Sequence, residues 1–313
     1  MSRRIDRRTF IRKSSLLGAS AVTGGAMLTS LLARRGWSLP DDRPVEVSSV
    51  QGTNYYDSTV KAVELTGGMR RFVTRGSKVG ILVNSAFEKR GTYVKPEIAL
   101  AVIAMCHEAG ATEIVSLEGA SGSYWDRASK TEYLEGLVAD LKEPEHVEVE
   151  VKGGGALKKA EIARELLEFD VFINVALVKD HEGTNFTCTL KNLMGATTSS
   201  TNRFFHFGSA RGSGWYGNVD FLSQCIADVN LLRKPSLCIV DATEFVTTNG
   251  PYGPGRISRP QKVLASVDGV ALDSTAARFL GLAANDIPMV RKAHEHGLGE
   301  MDAGKIAVRE LQI

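Results

Sequence analysis

Residues 171–178 (VFINVALV) constrain the fold more than any other part of the 313-residue chain. This nearly continuous apolar run is enriched in Val and Ile and lacks the alternation of a half-exposed strand. It therefore predicts a strand buried on both faces of a parallel sheet. Residues 237–240 (LCIV) have the same character. We expect both segments to be strands of one sheet, with residues 171–178 near its centre.

The rest of the body alternates strand and helix patterns. Strand-like runs recur at residues 78–84, 113–117, 262–267 and 305–311. Segments with helical spacing separate many of them, among them residues 95–110, 157–168 and 219–232. Strands joined by helical crossovers form parallel sheets. The pattern predicts an α/β fold, a layered sandwich with a mostly parallel central sheet and helices on both faces.

The N-terminal region is distinguished by its charge. Residues 1–35 hold eight basic residues and one acid, and the string RRTFIRK, which begins at Arg7 and Arg8, resembles the twin-arginine export motif. The weakly apolar stretch after it contains three glycines, so it is a poor membrane span of marginal length. We expect a twin-arginine signal or an uncleaved anchor at residues 1–35, a linker with a leading helix at 36–75, and an α/β domain at 76–313. The expected location is the periplasm or cell envelope, with the export machinery as a partner.

The charge of the remaining chain argues against nucleic-acid binding. The net charge of +2 comes from the N-terminal region, since the rest carries 30 basic and 35 acidic side chains. A nucleic-acid-binding surface needs a basic stripe, and none is visible. A small-molecule ligand is therefore the expected partner of the body.

Cysteine spacing does not identify a cofactor. The four cysteines lie far apart, without the close pairs that iron–sulfur clusters and structural zinc sites use: Cys106, Cys188, Cys225 and Cys238. Each lies in an apolar segment, which favours a buried small side chain, and a disulfide stays open in an oxidising compartment. We assign no metal ligands. The export route favours proteins that load a cofactor before export, but the sequence leaves that cofactor unknown.

Polar side chains gather where the run 171–178 ends. Lys179 and His181 follow it almost directly, and Lys191 and His206 come after a segment rich in Thr and Asn. Open α/β sheets bind ligands beyond the carboxyl ends of their strands. Lys191 would anchor an anion, or act as a nucleophile or base if burial lowers its pKa; the alternative is an exposed lysine. The two histidines are acid–base or ligand candidates, with hydrogen-bonded structural imidazoles as the alternative.

Two further elements are expected at the same edge of the sheet. Asp241 ends the second apolar strand and is followed by a Gly/Pro-rich turn at residues 249–255. We expect Asp241 to orient an imidazole, and the turn to offer backbone N–H groups to an anion. The poorly periodic residues 195–218 carry five aromatic side chains, a composition that predicts a lid over the site: Phe204, Phe205, Phe207, Trp215 and Tyr216.

The string INVALVKDHEGTNFTCTLKNLMG, followed by His206, resembles the signature of the domain-of-unknown-function family DUF362. That signature has the form K-x-H, then T-x-x-x-K-N-x-x-G, then H. The resemblance adds Lys179, Thr187, Asn192 and Gly195 as candidate cofactor-binding positions beside Lys191. Segments 94–114, 221–242 and 263–300 agree in order and spacing, so the likeness covers most of the chain after about residue 75. It implies a site but no reaction.

A more distant similarity concerns mechanism. The spacing of His181, Lys191 and His206 is similar to a His, Lys and His set in the nickel-pincer lactate racemase family, where the lysine holds a modified pyridinium cofactor. The sequence departs from that pattern at Cys188-Thr189-Leu190, where the family has a Gly-rich approach, and it offers no match for a histidine expected in the first half.

Two hypotheses from different classes remain. One is an exported enzyme that acts on a small anionic molecule, with Lys191 binding the negative group and His181 or His206 moving a proton. The other is a non-catalytic periplasmic protein that uses the same cleft to bind a small ligand or a metal.

The export hypothesis predicts that replacing Arg7 and Arg8 together by Lys leaves the protein in the cytoplasm, because the receptor reads the motif and not charge alone. Cell fractionation followed by immunoblotting measures this. Unchanged export of the double variant would contradict the assignment.

Overall fold

Buried strands and amphipathic helices alternate in the computed structural model, which describes residues 44–118, 122–128, 130–208 and 218–313. The strands are β1 (Val45–Gln51), β2 (Lys78–Val83), β3 (Glu113–Ser116), β4 (His146–Glu150), β5 (Lys159–Ala163), β6 (Val171–Leu177), β7 (Leu237–Ala242), β8 (Phe245–Val246), β9 (Ile257–Ser258), β10 (Lys262–Ser266) and β11 (Ile306–Gln312). The α-helices are α1 (Tyr55–Leu65), α2 (Pro96–Ala109), α3 (Gly122–Trp125), α4 (Glu132–Ala139), α5 (Arg164–Glu168), α6 (Thr189–Asn192), α7 (Ser199–Phe207), α8 (Val219–Val229), α9 (Gly269–Ala276) and α10 (Pro288–Glu295). None of these helices is long and apolar enough to cross a membrane. The expected signal, with Arg7 and Arg8, lies outside the described residues.

Seven strands form the central sheet, in the order β11–β1–β10–β7–β6–β2–β3. Strands β7, β6, β2 and β3 run parallel to one another, as do β1 and β11, and only β10 is antiparallel to both of its neighbours. Every residue of β6 and β7 is buried, and the two strands pair directly. The α/β fold with a mostly parallel sheet and the two central strands are thus confirmed.

The central sheet includes a strand from the segment that the sequence suggested was a linker. Within the stretch expected to be a linker, β1 pairs with both β10 and β11. Its two central serines are nearly fully buried, and Ser48 Oγ donates to Ala62 O at 2.8 Å. The serines made this segment look like a solvated linker. In the structure Ser48 is buried and donates hydrogen bonds to carbonyl oxygens of α1 and β10.

Residues 157–168 are a strand followed by one helical turn, and not the single helix expected. Strand β5 pairs antiparallel with β4, and Ala160 and Ile162 are buried while Lys159 and Glu161 are exposed. That alternation has the period of a half-exposed strand, which here overrides the helical propensity of Ala, Glu and Lys.

The region expected to be a loop from residue 195 to residue 218 contains helix α7. The Thr198 hydroxyl caps its start by accepting from Thr201 N–H at 3.4 Å, and Phe205 is fully buried in the core. His206 is therefore held on a helix. The other half of the predicted lid, with Trp215 and Tyr216, lies outside the described residues.

Candidate functional site

The carboxyl ends of three neighbouring strands, β3, β2 and β6, meet at one cavity of about 200 Å³. Glu118 follows β3, Asn84 and Phe87 follow β2, and Lys179 and His181 follow β6. Ligands of open α/β sheets bind at this position. Seven of the eight residues selected from the sequence line the cavity: Lys179, His181, Thr187, Lys191, Asn192, Gly195 and His206.

The chain passes the cavity twice because it turns back after β6. Lys179 and Thr187 bridge in antiparallel fashion, with Thr187 N–H donating to Lys179 O at 2.9 Å. Helix α6 then starts against the buried carboxylate of Asp273, which accepts from Thr189 N–H at 2.8 Å and from Leu190 N–H at 3.1 Å. These N–H groups have no partner inside the helix, so Asp273 on α9 fixes the turn that carries Lys191.

Lys179 is a fully buried amine with three partners. It is 0% exposed, and its Nζ donates to Thr92 O at 2.5 Å and to Asn84 Oδ1 at 3.3 Å. The same Nζ lies 4.2 Å from the centroid of the Phe87 ring. Burial and the charge of Lys191 lower the pKa of Lys179. Three acceptors for three N–H bonds nevertheless hold the amine in place.

Lys191 shares the cavity but lacks comparable partners. Among the described residues its Nζ has one hydrogen-bond contact, to Met194 Sδ at 3.6 Å, and a thioether is a weak acceptor. Burial lowers the pKa of Lys191 to about 8, while Glu118 opposes this through its charge. Two amines in one small cavity also disfavour each other's protonated form.

His181 is a neutral hydrogen-bond donor. Its Nδ1 accepts from Gly183 N–H at 3.0 Å, so the proton of the neutral ring lies on Nε2. Burial and the charges of Lys191 and Lys179 lower the pKa of His181 to about 2. The ring therefore stays uncharged throughout the physiological pH range and has an N–H available at Nε2.

His206 has the opposite tautomer. Its Nδ1 lies 2.9 Å from Asn202 O, which can only accept, so Nδ1 carries the proton and Nε2 has the lone pair. Burial lowers the pKa of His206, and the charge of Lys191 acts in the same direction. The neutral ring is therefore available as a proton acceptor through Nε2.

Glu118 is the acidic residue of the cavity, and the sequence analysis did not single it out. It follows the short strand β3 as one acid among many, and nothing in its local pattern marks it. Its Oε2 is buried and has no hydrogen-bond partner in the part of the chain that the structure describes. Burial raises the pKa of Glu118 to about 7, although Lys179 opposes this through its charge. A carboxyl that titrates near neutrality in a cleft is typical of functional sites.

Gly195 packs directly against the Glu118 carboxyl. A Cβ at Gly195 would lie 2.8 Å from Glu118 Cδ and 2.9 Å from Oε2. Any side chain here would push the carboxyl away, so the glycine allows Glu118 to pack against the turn between α6 and α7.

Asp241 does not line the cavity, which corrects the expectation that it orients an imidazole. It is fully buried, and its carboxylate accepts from Lys95 N–H at 2.7 Å, Thr243 N–H at 2.7 Å and Thr243 Oγ1 at 2.6 Å. Because Lys95 is the N-cap residue of α2, Asp241 joins the start of that helix to the end of β7. Its position at a strand end serves this structural contact.

The turn at residues 249–255 lies at the rim of the cavity. Gly250 N–H donates to Asp180 Oδ2 at 2.9 Å, and a Cβ at Gly250 would collide with Asp180 O at 1.7 Å. We expected the turn to offer its backbone N–H groups to an anion. The Gly250 N–H is instead bound within the protein. Beside it, Tyr252 packs edge-on against Phe87 with ring centroids 5.3 Å apart, so both rings border the opening.

A wider depression of about 470 Å³ adjoins the cavity and shares Glu118, His206 and Tyr252 with it. Two α7 side chains, Arg203 and Phe207, line this outer part. Of the three predicted lid aromatics that are described, only Phe207 borders the site.

A metal centre built from side chains does not fit the described residues. They contain no group of three or more His, Cys, Asp or Glu side chains that could hold a metal ion. The lactate racemase resemblance implies a nickel-bearing pyridinium group held by Lys191. Here Nδ1 of both His181 and His206 is engaged by the backbone, which leaves one nitrogen on each ring and no ligand cluster.

Comparison with known proteins places the chain in a family. A family model described as a domain of unknown function (DUF362) matches residues 78–278. The chain belongs to the DUF362 family. A thylakoid-associated protein of Synechocystis is 27% identical over 246 residues, which are 75% of this chain and 73% of that protein.

Two solved structures show a distant likeness to this DUF362 protein. A lactate racemase apoprotein from Thermoanaerobacterium thermosaccharolyticum has 14% identity over 80% of this chain, with a TM-score of 0.46. A Thermotoga maritima protein has 16% identity over 79%, with a TM-score of 0.37. The matches span 60% of either solved chain. These matches carry no statement about activity.

The contact between Gly195 and Glu118 predicts a non-additive double variant. Gly195→Ala should destabilise the protein by about 1–3 kcal/mol, because the new Cβ overpacks against the carboxyl. Glu118→Ala removes the carboxyl, so the alanine at position 195 should cost much less in that background. Denaturant midpoints of the four proteins measure this coupling.

Glu118→Gln is the matched control, because it removes the charge but keeps the volume. In that background Gly195→Ala should cost as much as it does in the wild type. Equal costs in the wild-type and Glu118→Ala backgrounds would show that the packing contact is wrong.

Proposed function

We propose that this DUF362 protein is an enzyme that binds a short organic anion in the cavity and moves a proton on it. The observation that carries the proposal is the convergence of two buried amines and two imidazoles on one small space. Purely structural residues have no reason to face a common cavity. Titrating groups with shifted pKa values in a cleft are typical of catalytic sites.

Charge and size favour a short anion. Lys179 and Lys191 contribute two amines against the single carboxyl of Glu118. The volume of about 200 Å³ is below the usual range for drug-sized ligands, about 300–1,000 Å³. The buried Thr187 Oγ1 has no partner within the described structure, so a ligand oxygen would satisfy it.

The two imidazoles divide the proton chemistry between them. His206 Nε2 has the lone pair of a general base, and its Nδ1–H is anchored on a backbone carbonyl. His181 offers a fixed Nε2–H to an oxygen on which negative charge develops, as in an oxyanion hole. The sequence leaves either histidine as the proton carrier, and tautomer and hydrogen bonding favour His206.

This assignment predicts proton exchange on a bound acid. During incubation in D₂O, the wild-type protein should exchange the C2 hydrogen of short 2-hydroxy acids and the C3 hydrogens of 2-oxo acids such as pyruvate, as measured by NMR. His206→Asn keeps a side-chain N–H for Asn202 O but lacks Nε2, so exchange should fall roughly 10²–10⁴-fold. Anion affinity, measured by calorimetry, should change little.

The exposed His146 on β4 provides the control, and His146→Asn should exchange like the wild type. Anion binding without exchange in the wild type would favour the non-catalytic binding protein. Absence of both binding and exchange would refute the proposed site.

We also propose that the protein is exported through the twin-arginine route, as a periplasmic or envelope protein. The string beginning at Arg7 and Arg8 supports this. The description of the Synechocystis relative as thylakoid-associated is compatible with a place near a membrane.

A further inference from the structure

We propose that Lys191 is an amine nucleophile that forms an imine with the carbonyl carbon of a short oxo acid bound in the cavity. This inference rests on the proposed function, since it specifies the substrate class of the same site. It assigns different roles to the two amines: Lys179 is fixed and binds the carboxylate, and Lys191 is the reacting group.

The hydrogen bonds separate the two roles. Lys179 has a carbonyl, an amide oxygen and an aromatic face for its three N–H bonds. Lys191 has only the Met194 thioether within the described residues, and Glu118 acts on it through charge without a hydrogen bond. Burial lowers the pKa of both amines, to about 7 for Lys179 and to about 8 for Lys191, so both are partly neutral at pH 7. Lys179 is held by its three partners, and Lys191 is therefore the amine that can turn toward a bound carbonyl carbon.

A desolvated lysine beside a second cation is a recognised arrangement for imine formation. Burial lowers the pKa of Lys191 to about 8, so about one tenth of the amine is neutral at pH 7. For an exposed lysine with a pKa of about 10.4 the neutral fraction is on the order of a hundredfold smaller.

The residues around the Lys191 amine can accept and return the protons that imine formation moves. Lys191 Nζ attacks the carbonyl carbon, the C=O electron pair moves to oxygen, and His206 Nε2 takes a proton from the attacking nitrogen. His206 gives this proton to the alkoxide, which forms the neutral carbinolamine. The nitrogen lone pair then forms the C=N bond as the C–O bond breaks, and the departing hydroxide takes the second N–H proton through His206 and leaves as water. One amine and one carbonyl thus give one imine and one water.

Two donors are available for the carbonyl oxygen during this step. His181 has its proton on Nε2, and Thr187 Oγ1 is buried with no partner among the described residues. The Lys179 amine, fixed by its three partners, lies at the same cavity and can donate to the carboxylate of the oxo acid. A protonated imine withdraws electrons from the adjacent carbon, which explains why a proton acceptor such as His206 would lie beside it.

Reductive trapping tests the inference on the full-length protein. Glyoxylate or pyruvate is added with borohydride, and the products are analysed by intact mass and peptide mapping. We expect a mass gain of one oxo acid less one oxygen atom, on the peptide that contains Lys191. Labelling should increase as the pH rises through about 8, because the neutral amine reacts. Glycolate and lactate, which lack the carbonyl group, should give no label.

Two variants complete the design. Lys191→Arg keeps a positive charge but cannot form an imine, so labelling should fall to background, on the order of a hundredfold. Lys159→Arg, at an exposed position on β5, should label like the wild type.

Labelling of Lys179 in place of Lys191, or equal labelling of surface lysines, would overturn the proposal. If anions bind and exchange protons but no label forms, only this inference fails; if no anion binds, the proposed function fails as well.

Discussion

The burial of two lysine amines beneath one sheet edge is the constraint on which the rest of the site depends. Moving an ammonium group out of water costs several kcal/mol unless acceptors replace the lost hydration or the group gives up its proton. Burial lowers the pKa of both amines. Thr92 O, Asn84 and the Phe87 ring in addition surround Lys179, whereas Lys191 has only a thioether among the described residues.

A chain of hydrogen-bonded side-chain amides connects the Lys179 site to the central sheet. Asn84 Nδ2 donates to Asn192 Oδ1 at 3.0 Å, Asn192 Nδ2 to Asn174 Oδ1 at 2.7 Å, and Asn174 Nδ2 to Thr189 O at 2.9 Å. The chain links the end of β2, the centre of β6 and the start of α6. It explains why Asn174 interrupts the apolar run of β6, because each buried amide needs partners and these residues supply one another.

The sequence predicted features set by local pattern and could not predict those set by packing. The apolar runs of β6 and β7 identified the central strands, and the polar residues after β6 identified the cavity. Glu118 was missed because its burial arises only when β3 lies beside β2. Asp241 was assigned to the wrong contact because a strand-end acid looks the same whether it faces a cavity or a helix start. The serines of β1 suggested a linker because the sequence does not show that the sheet and α1 bury them.

The central claim is that the cavity holds two neutral imidazoles of opposite tautomer, and ¹⁵N NMR of the histidine rings during a pH titration tests it most directly. We predict that His181 carries its proton on Nε2 and His206 on Nδ1, and that His181 stays neutral between about pH 5 and 8. His206 should titrate below the ordinary value of about 6.5. Titration of both rings at or above that value, or the same tautomer in both, would contradict the account.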